Sequence, residues 1–244
     1  MGFVGLLFPW GIILQALAIV HFIRRRPDTY WLYIILFLGP IGALVYIVAE
    51  VLPDLGLLRD SFKVFPRRKR IYELESMILD NPSAGNYEEL ADLYLEEGRF
   101  RRARECYDKA ISSRTDSLDP FYRRALAAMQ MGDYAAAVPD LERVVSRESK
   151  YDFHRALGLL ADAYAQTGQD EKADVLFREA TKMSTLSETY YNYASFLLAQ
   201  QRIAEARDWA QRILAKKATL PRYLKRRERP WFRRASGLLK RLPA

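Results

Sequence analysis

Cysteine and histidine are nearly absent. The chain of 244 residues holds one cysteine, Cys106, and two histidines, His21 and His154. A single thiol cannot form a disulfide framework. Three such residues, scattered along the chain, offer no zinc ligand set. The 12 glycines never assemble a phosphate-cradling loop. No nucleophile stands with a base, so the sequence assigns no catalytic residue, no metal and no cofactor. Extended disorder is excluded, because half of the residues are apolar and 13% are aromatic.

The apolar residues are unevenly spread. Phe3 to Ile23 is a run of 21 residues with no formal charge, and Tyr30 to Val51 is a run of 22 with only Glu50 charged. A helix rises about 1.5 Å per residue, so either run matches a hydrocarbon core about 30 Å thick. A signal peptide fits poorly: no basic residue precedes the first run, and the second follows at once. Residues 1–52 are therefore expected to form a transmembrane hairpin turned by the stretch Arg24 to Thr29. Trp10, Tyr30, Trp31, Tyr46 and His21 are expected at the interface. Gly39 and Ala43 form a small-xxx-small pair for close helix packing.

The stretch Arg25-Arg26-Pro27-Asp28-Thr29-Tyr30-Trp31, with Leu38-Gly39-Pro40-Ile41-Gly42-Ala43-Leu44-Val45-Tyr46, resembles the N-terminal two-helix membrane segment of phospholipase D-type cardiolipin synthases. The resemblance implies a bacterial inner-membrane anchor. It does not imply lipid chemistry, because the His-x-Lys-x4-Asp motifs of that family are missing at His21 and His154. Basic residues are denser after the second run than in the loop, which places the remainder of the chain in the cytoplasm.

Charge is also segregated. Residues 71–221 carry a net −5, residues 222–244 a net +8, and Arg67, Arg68, Lys69 and Arg70 form a basic run in a juxtamembrane linker, 53–69.

The middle of the chain is periodic. Gly98 and Gly132 are 34 residues apart, Gly168 follows 36 later, and Gln201 comes 33 after that. Beyond each turn an apolar set recurs at i, i+4, i+7: Ala103/Tyr107/Ala110, Ala137/Leu141/Val144, Ala173/Phe177/Ala180 and Ala206/Ala210/Ile213. This pattern resembles the tetratricopeptide repeat. Repeats fall at about 84–117, 118–151, 154–187 and 187–220, within a repeat domain 70–221 whose front is capped by a helix from Arg70 to Leu79. The expected fold is all-α: a two-helix hairpin, a solenoid of four helix pairs and a basic C-terminal helix. Arg124 stands where a leucine is usual, and the fourth turn lacks its glycine.

The resemblance implies a concave groove lined by the first helix of each pair. By spacing, its residues are Glu88, Asp92 and Glu96 in the first repeat and Tyr122 and Leu126 in the second. The third repeat adds Asp162 and Gln166, and the fourth adds Tyr191 and Ser195. Four carboxylates and no base suit a basic or amphipathic peptide. A solvated acidic face without a ligand accounts for the same charge.

In the tail, 222–244, Trp231, Ala235, Leu238, Leu239 and Leu242 line one helical face, with Arg233, Arg234, Lys240 and Arg241 elsewhere. Such a helix can cap the repeats, adsorb on anionic lipid, or fold into the groove. Nucleic acid is a weaker candidate, since few rings are free to stack. The function expected is a membrane-anchored scaffold of the bacterial inner membrane that recruits a protein or peptide through the groove, with homo-oligomers open. The alternative is an accessory subunit of a lipid-synthesis or envelope-biogenesis complex, bound through the hairpin.

Overall fold

The computed structural model describes residues 4–25, 29–51, 57–112 and 117–242. Thirteen α-helices and no strand occur among them. They divide into two compact units, Met1–Tyr72 and Glu73–Ala244.

In the first unit, α1 (Val4–Arg25) packs against α2 (Tyr30–Phe37) and α3 (Gly39–Tyr46), which a π-helical turn (Ile47–Val51) extends. The expectation of two membrane-spanning helices finds no support. The second run breaks at Leu38, because Pro40 has no N–H to donate and Gly39 turns to a φ of +57°. Among the described residues, no helix is long and apolar enough to cross a membrane. The basic Pro27 turn lies outside the described residues.

The break is held from the other helix: the Gln15 side-chain amide donates to the Ile35 carbonyl at 3.0 Å. The small-residue contact also differs from expectation. Gly39 is spent on its backbone angle, and the close approach falls to Gly11 and Gly42. A Cβ on Gly11 would lie 2.9 Å from Pro40 Cγ, and one on Gly42 would lie 2.0 Å from the Ile34 carbonyl oxygen. Tyr46 is not interfacial. It is fully buried with Ala18, Ile35 and Ala43. His21 Nδ1 lies 2.9 Å from Tyr46 Oη, and Phe22 and Trp31 pack around the same ring.

Helix α4 (Leu57–Asp80) occupies the stretch read as a linker and continues through the expected front cap, so Arg67, Arg68, Lys69 and Arg70 sit on a helix.

The second unit then runs in pairs: α5 (Ala84–Glu96) with α6 (Phe100–Ser112), α7 (Asp119–Gln130) with α8 (Tyr134–Arg147), α9 (Tyr151–Gln166) with α10 (Asp170–Met183), and α11 (Ser187–Ala199) with α12 (Ile203–Thr219). All 12 residues of the recurring apolar set are fully buried. Alanine on these faces lets partner helices approach, and the larger residues fill the space between pairs.

Each first helix ends in the same way. Arg99 N–H donates to the Tyr94 carbonyl at 2.8 Å, Asp133 to Ala128 at 2.9 Å, Gln169 to Tyr164 at 2.9 Å and Arg202 to Leu197 at 2.8 Å. This closure needs a left-handed residue just before the donor. Gly98, Gly132 and Gly168 supply φ of +72°, +77° and +73°, and Gln201 adopts +59° without being glycine. The fourth repeat therefore keeps the turn and carries the strain.

The longer third interval is also accounted for. Asp152, Phe153 and His154 take three successive left-handed conformations at the start of α9, and the extra residues of that interval are absorbed there. Gly158 permits a close approach further along: a Cβ there would meet Thr189 Oγ1 of α11 at 2.6 Å.

Arg124 replaces the usual apolar residue because α8 offers it a partner. Its Nε and Nη2 donate to Asp140 at 2.7 and 2.6 Å, and Nη1 to Asp108 at 2.6 Å. Asp140 is only 5% exposed. Removing one member of a buried pair leaves an uncompensated charge, which costs about 3–5 kcal/mol, whereas an apolar pair of similar volume is near neutral. Arg124→Leu is expected to lower the unfolding free energy by about that amount, read as a fall in the denaturant midpoint. Arg124→Leu with Asp140→Leu is expected to recover most of it in the same unfolding experiment.

The C-terminal helix α13 (Arg222–Arg241) packs against α11 and α12. Phe232, Ala235, Leu238 and Leu242 are buried with Ala194, Ala210 and Ile213. Of the roles open to the tail, the cap is the one observed. Its innermost ring is Phe232, one position beyond the expected Trp231.

Candidate functional site: the face lined by the first helices

The first helices of successive pairs, α5, α7, α9 and α11, are joined by side chains. Asp92 of α5 accepts from Tyr107 Oη at 2.5 Å and pairs with Arg123 of α7 at 3.3 Å. Arg123 Nε donates to Asp119 at 2.7 Å, and Asp119 accepts from Tyr151 of α9 at 2.5 Å. Tyr122 of α7 donates to Asp152 at 2.6 Å. Arg155 of α9 bridges onward, with Nε 2.6 Å from Glu188 of α11 and Nη1 3.3 Å from Tyr122 Oη. The partners bridging successive first helices lie one repeat apart, 30 residues for Tyr122 with Asp152 and 33 for Arg155 with Glu188.

This ladder changes the reading of the groove. Burial raises the Asp92 carboxyl above its ordinary range, against the pull of Tyr107 and Arg123. Tyr122 is buried and its hydroxyl is committed. Leu126 packs on the core, Ser195 is half-buried, and Tyr191 is covered by the tail, its ring 5.8 Å from Trp231. Glu88 is half-buried, while Glu96 and Gln166 are exposed. The expectation of a face without bases is corrected: Arg123 pairs with Asp92 and Asp119, and Arg155 with Asp152 and Glu188, so two bases stand against four acids. Elsewhere acids are taken by tyrosines, as Glu75 is by Tyr94, Glu142 by Tyr164 and Asp174 by Tyr193.

Asp162 is different. No arginine among the described residues reaches it. Its described contact is the Gln166 amide, 3.5 Å away. Burial pushes its carboxyl up to about 6, and the nearby Glu188 adds to the shift. The Glu188 charge is already held by Arg155, so nothing described compensates Asp162.

Sequence spacing placed Asp162 and Gln166 together and Asp92 on the same face. It missed Asp119, Arg123, Tyr151, Asp152, Arg155 and Glu188. Their signal was available as polar partners one repeat period apart.

No other chemistry gathers. Burial pushes the Cys106 thiol up to about 11, far from a reactive thiolate. His154 Nδ1 is buried without a hydrogen-bond partner among the described residues. No group of three or more His, Cys, Asp or Glu among the described residues could hold a metal ion. At the tail, Arg234 stacks over Trp231 at 4.6 Å, and the pair lies against Tyr191.

With this geometry in hand, the repeats can be identified. Two tetratricopeptide-repeat family models match, over residues 84–116 and 122–187. Residues 84–116 and 122–187 of the solenoid are therefore tetratricopeptide repeats. Among solved structures, the chain is similar to YrrB, a TPR protein with an unusual peptide-binding site, at 16% identity over 67% of this chain and 84% of that one, with a TM-score of 0.55. It is similar to MamA at 17% identity over 68% and 90%, with a TM-score of 0.56. Similarity to pilF of Pseudomonas aeruginosa is 18% over 67% and 73%, with a TM-score of 0.51. No curated protein matches the chain. The resemblance of the N-terminal segment to cardiolipin synthases has no support from these comparisons.

The uncompensated carboxylate gives a signed expectation. A folded-state value near 6 lies above the ordinary 3.8, so the folded protein binds more protons between those values and loses stability as pH rises through them. Above pH 6 the buried charge costs about 3 kcal/mol at most. Asp162→Asn is expected to stabilise the fold at pH 8, and urea titrations should show the gain vanishing near pH 4.

Proposed function

We propose that the chain is a non-catalytic docking scaffold that presents its first-helix face to a protein or peptide carrying a basic side chain. One observation carries this reading: Asp162 is a half-buried carboxylate on that face without a cationic partner among the described residues. A buried charge that lowers stability and has no internal counter-ion is suited to an incoming ammonium or guanidinium. Much of the rest of the face is cross-linked by Arg123 and Arg155, so it supplies shape. The peptide-binding site of YrrB, a protein of similar fold, adds support.

The scaffold is held at a bacterial inner membrane by the hairpin, with the repeats in the cytoplasm. The basis is the outer surface of the hairpin, where Leu17, Ile23, Phe37 and Ile41 are 59, 65, 82 and 67% exposed. Apolar side chains of this number, on helices whose small and aromatic residues already form an interior, fit hydrocarbon and not water.

A labelled arginine- and leucine-rich amphipathic peptide tests the face, using the full chain in detergent. Binding is expected at pH 7.5, about tenfold weaker with Asp162→Asn, and weaker again below pH 6, where Asp162 takes up its proton. Affinity that ignores both changes refutes the reading. Capture of a cellular partner that is likewise indifferent to Asp162 would favour the accessory-subunit alternative, in which the packed hairpin is the binding element.

Topology is tested separately. Thr29 lies between α1 and α2 and is exposed, while Cys106 is buried. In intact cells Thr29→Cys is expected to react with an impermeant maleimide. Protection there, with labelling only after lysis, reverses the orientation.

A further inference from the structure

Helix α13 is used on one side only. Its apolar residues are buried against α11 and α12, so that side is closed to any other ligand. The opposite side is cationic. Arg227, Arg229, Arg233, Lys240 and Arg241 are exposed, and none has an ion-pair partner among the described residues. The one acidic residue of the helix, Glu228, has its Oε2 buried. Between Arg222 and Ala244 nine basic residues stand against that single acid.

A terminal cap needs a polar outer face, but not one of a single sign. Mixed charges keep a surface soluble without self-repulsion. Lys225, Arg229 and Arg233 follow one another at i, i+4, where like charges weaken a helix. The arrangement therefore costs stability and answers to an external polyanion.

We infer that the outer face of α13 docks on the anionic phospholipid headgroups of a bilayer. The inference rests on the proposed insertion of the hairpin. Two observations favour lipid over nucleic acid. The second basic run of the chain, Arg67 to Arg70, follows closely on the apolar hairpin. The rings of α13 are also spent: Phe232 is buried and Trp231 is sandwiched, leaving Tyr223 as the exposed one. The contact is electrostatic, with no insertion. Guanidinium forks meet phosphate oxygens, and the attraction fades within a Debye length.

The test uses the full chain with a donor dye at Tyr223→Cys, incorporated into nanodiscs carrying a headgroup acceptor. Energy transfer is expected to be higher in discs containing phosphatidylglycerol than in pure phosphatidylcholine. High salt should abolish the difference, and so should the triple variant Arg227→Glu, Arg229→Glu, Arg233→Glu. Equal transfer in both discs overturns the inference, as does displacement from phosphatidylglycerol by a short RNA at equal phosphate. Protein that fails to enter discs refutes the hairpin reading. Flotation of that protein with phosphatidylglycerol vesicles then decides the helix, and its absence overturns the inference as well.

Discussion

No helix pair between Ala84 and Thr219 can bury its apolar face alone. The fully buried alanines at 103, 137, 173 and 206 bring two helices so close that the larger side chains must find space on the next pair. Stability is consequently shared along the stack. The hydrogen bond that ends each first helix sets the angle at which the second returns. Its repetition at Arg99, Asp133, Gln169 and Arg202 makes four unequal sequences into one architecture. Even the cost of a left-handed Gln201 is accepted to preserve it.

Once packing has fixed the stack, polar groups are distributed along it. Many of the carboxylates that give the region its net negative charge are held by tyrosines and arginines one helix or one repeat away. The face formed by the first helices is a cross-linked surface in which each of two arginines serves two carboxylates. Against that background one uncompensated group, Asp162, stands apart, while four adjacent acids do not.

The two ends of the chain solve a different problem. The hairpin leaves large apolar side chains such as Leu17, Ile23, Phe37 and Ile41 on its outer surface, which is the reverse of what water favours. The terminal helix turns its apolar residues inward against α11 and α12 and leaves cations outside. The proposals for the two ends rest on these surfaces: hydrocarbon for one, an array of anions for the other.

Periodicity made the repeats legible, because a helix pair that stacks on copies of itself must repeat its apolar positions. All 12 of the residues so identified are buried. The basic terminal helix and its amphipathic face were legible for the same reason. Local pattern could not reveal that Phe232, and not Trp231, faces inward, since a turn of one residue depends on the neighbouring helices. Nor could it reveal that Gly39 serves backbone geometry while Gly11 and Gly42 serve contact.

By itself the sequence determined the helical class, the repeat length and the placement of charge, because those follow from spacing and composition along one chain. Which carboxylates are neutralised was decided only by the tertiary structure. Arg123 and Arg155 meet their acids across repeats, and the distance between side chains on different helices is not written in any local pattern.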